Sequence, residues 1–225
     1  MTSESLPLPV PAEAAAPARN GGLFIAFEGG DGAGKSTQAG AVQARLEALG
    51  RTVIRTREPG GTPVGEKLRA LVLEHGHGDI DARTEALIFA ASRAAHVRQV
   101  IVPALERGEI VLCDRFIDSS VAYQGAGRGL GLDAVRDLNL WATGGVLPDL
   151  TVLLDVDPER GRDRRAAGGA EDRMESEPDD FHSRIRAAFL ELAAARPEHY
   201  LVLDAGQDRA GLTEAIMERI SGRPA

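Results

Sequence analysis

The run Glu28-Gly29-Gly30-Asp31-Gly32-Ala33-Gly34-Lys35-Ser36-Thr37 constrains this chain more than any other stretch. It fits the pattern Gly-x4-Gly-Lys-[Ser/Thr] from Gly29 to Ser36. Glycine lets a backbone turn tightly and point successive N–H groups into one concavity. Those donors, with the positive end of a following helix, suit the α- and β-phosphates of a nucleotide. In such a loop Lys35 reaches the β- and γ-phosphates and the Ser36 hydroxyl ligates Mg²⁺. The flanks agree. Leu23–Phe27 is an apolar run that reads as a buried strand, and Val42, Leu46 and Leu49 recur at helical spacing until Gly50 stops them.

Composition narrows the partners. The net charge is -8 over 225 residues, which argues against a general nucleic-acid or membrane-surface binder. Lys35 and Lys67 are the two lysines in a chain that otherwise writes its positive charge as Arg. No apolar run is long enough to span a bilayer. The single Cys113 cannot form an internal disulfide and points to a reduced, cytoplasmic setting. Residues 1–21 are rich in Pro, Ala and Glu and read as a disordered leader, so one domain is expected over 22–225.

Five apolar strands alternate with helices, predicting an α/β fold: a five-stranded parallel sheet with helices on both faces. The strands are read at 23–27, 52–56, 109–113, 150–155 and 200–204. The helices are read at 35–49, 64–74, 81–107, 133–145 and 208–221, with Asp133 as a cap. Ligands of such sheets bind beyond the carboxyl ends of the strands. Polar residues stand there: Glu28 and Asp31, Arg57 and Glu58, Asp114 and Arg115, Asp155 and Asp157. Asp114 is placed to hold Mg²⁺ and Arg115 to grip a phosphate, or else the two merely close a strand as an ion pair.

Three further groups carry chemistry. Phe89 and Arg93 share a helix face and can serve a nucleobase, or simply core and surface. Ser120, Tyr123, Gln124 and Arg128 fall at helical spacing, and an amide offers both a donor and an acceptor to a base edge. Arg160, Arg162, Arg164 and Arg165, then glycines, then Arg173 read as a mobile lid over about 160–176, or as a solvated Arg-rich helix. The phosphate loop itself lacks Arg, and phosphoryl transfer needs positive charge on the moving group. There is no Asn-Lys-x-Asp for guanine and no evident base for a hydroxyl acceptor. A nucleoside monophosphate kinase is therefore favoured over a sugar kinase or a switch-like ATPase.

Taken together, the Glu-Gly-x-Asp-Gly-Ala-Gly-Lys-Ser-Thr run, Thr56–Gly61, Leu87–Arg93, Asp114-Arg115, Tyr123-Gln124-Gly125, Pro148–Thr151 and Asp172-Arg173 resemble bacterial thymidylate kinase over about residues 22–221. The resemblance implies a P-loop nucleoside monophosphate kinase with an Arg-rich lid, converting dTMP to dTDP with ATP and Mg²⁺. It implies ATP on Gly29, Gly30, Asp31, Gly32, Ala33, Gly34, Lys35, Ser36 and Thr37. It implies Phe89 stacked on thymine, Arg93 and Gln124 at the base edge, and Tyr123 near the deoxyribose. Arg69 and Arg115 lie toward the dTMP phosphate, with Ser120 and Glu58 also in that pocket. Catalysis is assigned to Lys35, Asp31, Arg115 and lid residues Arg164 and Arg173, and the metal to Ser36, Asp114 and Asp31. A homodimer through helices in residues 81–145 is implied as well.

Overall fold

The computed structural model describes residues 19–157, 160–162 and 172–222. Strands β1 (Leu23–Glu28), β2 (Val53–Arg57), β3 (Ile110–Asp114), β4 (Leu150–Asp155) and β5 (Tyr200–Asp204) form one sheet in the order 2-3-1-4-5. Every pairing is parallel. The α/β expectation is met, and β2 and β3 each begin and end one residue later than the sequence suggests, leaving out Thr52 and Glu109 and taking in Arg57 and Asp114.

Alternation along β1 explains why both faces must be covered. Ile25 and Phe27 enter one apolar cluster with Val42, Leu46 and Ile216, while Phe24 and Ala26 enter another with Ile101, Leu105 and Val121. The first cluster is capped by α1 (Lys35–Ala48). The helix α3 (Ala82–His96) continues through a π turn, Val97–Ile101, into α4 (Val102–Glu106), and this later part of the path covers the second cluster with Val97, Ile101, Ala104 and Leu105. Between β2 and α3 lies α2 (Pro63–Leu73). Its Thr62 cap accepts from the Gly65 N–H at 3.0 Å, and proline fills the first helical position. The single or double helix expected over 81–107 is thus one path with a π segment in its middle.

After β3 the chain enters α5 (Ile117–Ser120) and a second π turn, Val121–Gly127, where the Arg128 N–H reaches the Tyr123 carbonyl at 2.9 Å. Next comes α6 (Leu132–Thr143). It is entered through Gly131 at φ 90°, a conformation that favours glycine. Asp133 is therefore not the cap that the sequence suggested; it lies in the first turn and pairs with Arg136 at 2.9 Å. The last helices are α7 (Asp179–Ala195) and α8 (Arg209–Ser221), the latter capped by Asp208.

Fixed contacts begin ahead of Gly22, because Arg19 pairs with Asp149 and donates to the Leu147 carbonyl at 2.9 Å. Asp149 also accepts from the Phe24 N–H at 2.8 Å, which ties this corner to the central strand. Residues 1–18, most of the leader, lie outside the described residues.

One glycine fixes how closely the loop after β1 approaches the sheet. Gly29 has φ 131°, and a Cβ there would stand 2.3 Å from the Leu154 carbonyl oxygen of β4. Gly29→Ala should cost about 2 kcal/mol or more through strain and overpacking. Urea denaturation is the check, and a variant as stable as the parent would contradict this packing.

Candidate active site

The carboxyl ends of β1, β2 and β3 meet at one rim, since Phe27 and Arg57 both lie opposite Asp114 in the parallel register. The loop after β1 wraps over that rim. Gly34, at φ 92°, opens α1. Lys35 is buried and folds back, its Nζ donating to the Gly29 and Gly30 carbonyls at 3.1 and 2.9 Å. Burial and the nearby Arg115 lower its pKa, while Asp114 and Asp31 oppose them. A cation so placed gains by meeting an anion.

Arg115 stands just past β3 with φ 70°, unusual for a residue with a side chain. Its N–H bonds the Phe27 carbonyl at 2.9 Å. The guanidinium donates to Gly29 O at 3.1 Å, Ser119 Oγ at 3.0 Å and Tyr123 Oη at 3.1 Å, pairs with Asp31, and lies 5.0 Å from the Tyr123 ring centre. Asp31 has both oxygens engaged, one by Arg115 and one by the Tyr123 hydroxyl at 2.7 Å. Burial alone would raise its pKa, but Arg115, Lys35 and that hydroxyl hold it well below the usual range.

Beneath this lies Glu28, fully buried. One of its oxygens accepts from the Phe116 and Ser119 N–H groups at 2.8 and 3.2 Å, and the other accepts from the Ser119 hydroxyl at 2.6 Å. Ser119 thereby relays from Glu28 to Arg115.

Ser36 donates its hydroxyl hydrogen to Asp114. Two hard oxygens in contact at the foot of a phosphate-type loop are the donor chemistry that Mg²⁺ takes, so the residues present fit that ion. Another group of possible ligands, Glu58, His96 and Cys113, is buried behind the rim. Its donors are already committed: Glu58 to Arg93 at 2.6 Å and to His96 Nδ1 at 2.8 Å, His96 Nε2 to Thr56 at 2.7 Å, and the Cys113 thiol to the Arg115 carbonyl at 3.1 Å.

Two cavities open from the rim. The larger, about 790 Å³, runs from the glycine loop and Asp114 to Gln207, Arg209 and Leu212 beyond β5. That far wall was not read from the sequence. It is set by Gln38 of α1, which donates to the Arg209 carbonyl at 3.1 Å and accepts from Thr213 at 2.8 Å. The smaller, about 150 Å³, is lined by Phe89, Arg93, Ser120, Tyr123 and Gln124, among others. Asp31, Glu58, Arg69 and Arg115 line both. Arg69 donates to the Pro59 carbonyl at 3.0 Å, and burial together with Arg57 lowers its pKa.

Residues predicted from the sequence thus gather here, with particular differences. Arg93 is 2% exposed and spends donors on Glu58, Ser120, Asn139 and the Phe116 carbonyl. Arg173 donates to the Val72 carbonyl at 2.9 Å and to Glu85 at 2.5 Å, so its guanidinium is occupied away from the glycine loop. Arg164 lies outside the described residues, as does most of the expected lid. Glu85, Asn139, Ser119 and His96 were missed; nothing local in the sequence marks them.

A polyphosphate cradle that shares a wall with a second, base-sized cavity defines a P-loop kinase acting on a nucleotide. The comparisons with known proteins narrow the class. The family model for thymidylate kinase matches residues 27–216, and the chain belongs to the thymidylate kinase family. It is 54% identical over 208 residues to the thymidylate kinase of Leifsonia xyli subsp. xyli, covering 92% of this chain and 98% of that one. It is 55% identical over 199 residues to that of Clavibacter sepedonicus, covering 88% and 94%. The crystal structure of thymidylate kinase from Ehrlichia chaffeensis is similar with a TM-score of 0.72 at 33% identity, covering 89% of this chain and 99% of that one.

Glu28 gives the site a measurable pH signature. Burial and the neighbouring Asp118 push its pKa up to about 7, against the pull of the Ser119 bond. Its unfolded value is about 4.3. Between the two, the folded protein holds a proton that the unfolded chain has released, so stability falls as pH rises through this window, by on the order of 3 kcal/mol. Glu28→Gln cannot ionise. Urea titrations from pH 5 to 7.5 should show a shallower decline in the variant, and parallel slopes would refute a carboxyl titrating there.

Proposed function

We propose that the two cavities hold ATP and dTMP together and that the terminal phosphoryl group of ATP passes directly to dTMP, giving dTDP. The observation that carries this reading is the wall that both cavities share, Asp31, Glu58, Arg69 and Arg115. Phosphoryl transfer calls for positioning and positive charge more than for covalent chemistry. Residues 29–37 cradle the ATP phosphates, and Lys35 exchanges its carbonyl partners for the β- and γ-phosphates. Ser36 and Asp114 hold Mg²⁺, which when bound neutralises charge on the phosphate oxygens. Asp31 serves chiefly to hold Arg115.

Arg69 and Arg115 grip the acceptor phosphate, whose oxygen is already anionic and needs no general base. Phe89 stacks on thymine, with Arg93, Ser120 and Gln124 around the base and Tyr123 beside the sugar. Glu58 shapes this pocket through Arg93 and His96. Because Glu85 engages Arg173, we assign the lid's contribution to Arg164. Gln207, Arg209 and Leu212 enclose the adenosine end of ATP.

The protein with Mg²⁺, ATP and dTMP should yield a product with the mass of dTDP, and its absence from folded protein would overturn the reading. Lys35→Ala should lower turnover by about a hundredfold or more. Phe89→Ala should weaken dTMP binding about tenfold with ATP binding unchanged in titrations of each ligand.

We assign the chain to a homodimer in the cytoplasm. Leu71, Leu87 and Trp141 are exposed on the neighbouring helices α2, α3 and α6, which suits an interface between copies. No described helix is long and apolar enough to cross a membrane, and Cys113 is a buried free thiol. Leu87→Glu with Trp141→Glu should give monomers in sedimentation velocity; an unchanged mass would move the interface elsewhere.

A further inference from the structure

We infer that Glu85 sets the base preference of this enzyme by fixing which way round the Gln124 amide faces. The inference rests on the reading of the smaller cavity as the dTMP site. Gln124 is 1% exposed and lines that cavity. Its Nε2 donates to Glu85 Oε1 at 2.9 Å, and its own Oε1 is buried with no partner among the described residues. A carboxylate accepts and does not donate. The opposite orientation would set the amide oxygen against a carboxylate oxygen, so only one orientation is tolerable. The group left over is therefore always an acceptor, and a buried acceptor is satisfied only when something brings it a donor.

Thymine has an N–H at ring position 3, whereas cytosine has a bare nitrogen there. An acceptor fixed by Glu85 welcomes the first and sets a lone pair against the second. Sites built to receive a hydrogen bond discriminate more strongly than apolar pockets do, because the wrong ligand leaves a buried group unpaired.

Glu85 is itself immobilised. It is fully buried. Arg128 donates to both of its oxygens at 3.1 to 3.3 Å and Arg173 to Oε2 at 2.5 Å. Arg173 also donates its backbone N–H to the Leu73 carbonyl at 3.0 Å, so the carboxylate joins α2, α3, the π turn after α5 and the segment around Arg173. Glu85 acts through Gln124 and is a positioning residue.

Glu85→Gln is the direct test, since a second amide can accept from Gln124 or donate to it, and the reader is free to turn. The ratio of kcat/KM for dTMP over dCMP should fall about tenfold or more. The ratio for dTMP over dUMP should hold, because both bases carry the same N–H. In a Gln124→Ala background, Glu85→Gln should change the dTMP to dCMP ratio no further. Independent, additive effects would overturn the inference. If Gln124→Ala leaves that ratio untouched, the assignment of the base pocket fails; if Gln124→Ala alters it and Glu85→Gln does not, only the role of Glu85 fails. Should Glu85→Gln not fold, the unaltered protein still decides. Its Gln124 side-chain amide protons, assigned by their loss in Gln124→Ala, should exchange slowly with solvent in the ligand-free state, and exchange at the rate of a free amide would overturn the inference.

Discussion

One guanidinium ties the phosphate loop to the opposite wall of the site. Arg115 adopts a left-handed backbone conformation, which costs about 1–3 kcal/mol for a residue with a side chain. It is kept there by bonds to Gly29, Asp31, Ser119 and Tyr123. Hydrogen bonds to charged groups contribute about 1.5–3 kcal/mol each, enough to offset the strain. Because the cluster is mostly shielded from water, removing one partner leaves a charge poorly compensated. Glu28 below it and Asp31 above it are thus parts of one device, although their environments drive their pKa values in opposite directions.

What the sequence revealed was what is local. A glycine loop between an apolar run and a helical repeat needs no distant partner to be recognised, and the order of strands and helices followed from periodicity. The rim could be anticipated for the same reason: in a parallel sheet the residues just past successive strands converge whatever the strand order. The order 2-3-1-4-5 itself could not be read. It depends on which apolar faces fit together, and every central strand here is apolar on both faces.

Long-range pairing explains the remainder. Arg93 was placed beside a base by its spacing from Phe89, and it does line the smaller cavity. Yet its guanidinium is engaged by Glu58, Ser120, Asn139 and the Phe116 carbonyl, which come from three separate parts of the chain. Asn139 gave no local signal, being one polar residue in an amphipathic helix. Asp133 looked like a cap because it opens a helical pattern, but Gly131 supplies the turn. The π turn after α5 also lay beyond reach, since helical spacing alone does not separate an i to i+5 turn from an ordinary one. Arg173 sat in an Arg-rich stretch and was read with its neighbours, while the structure pairs it with Glu85, far away in sequence.

The wall common to the two cavities has a stereochemical consequence. When acceptor and donor stand on either side of the same four residues, the incoming oxygen can approach phosphorus from the face opposite the departing one, without any stop on the protein. A chiral label on the transferred group would then emerge inverted. Initial-rate plots with both nucleotides varied would give intersecting lines, because neither product can form until a ternary complex has assembled.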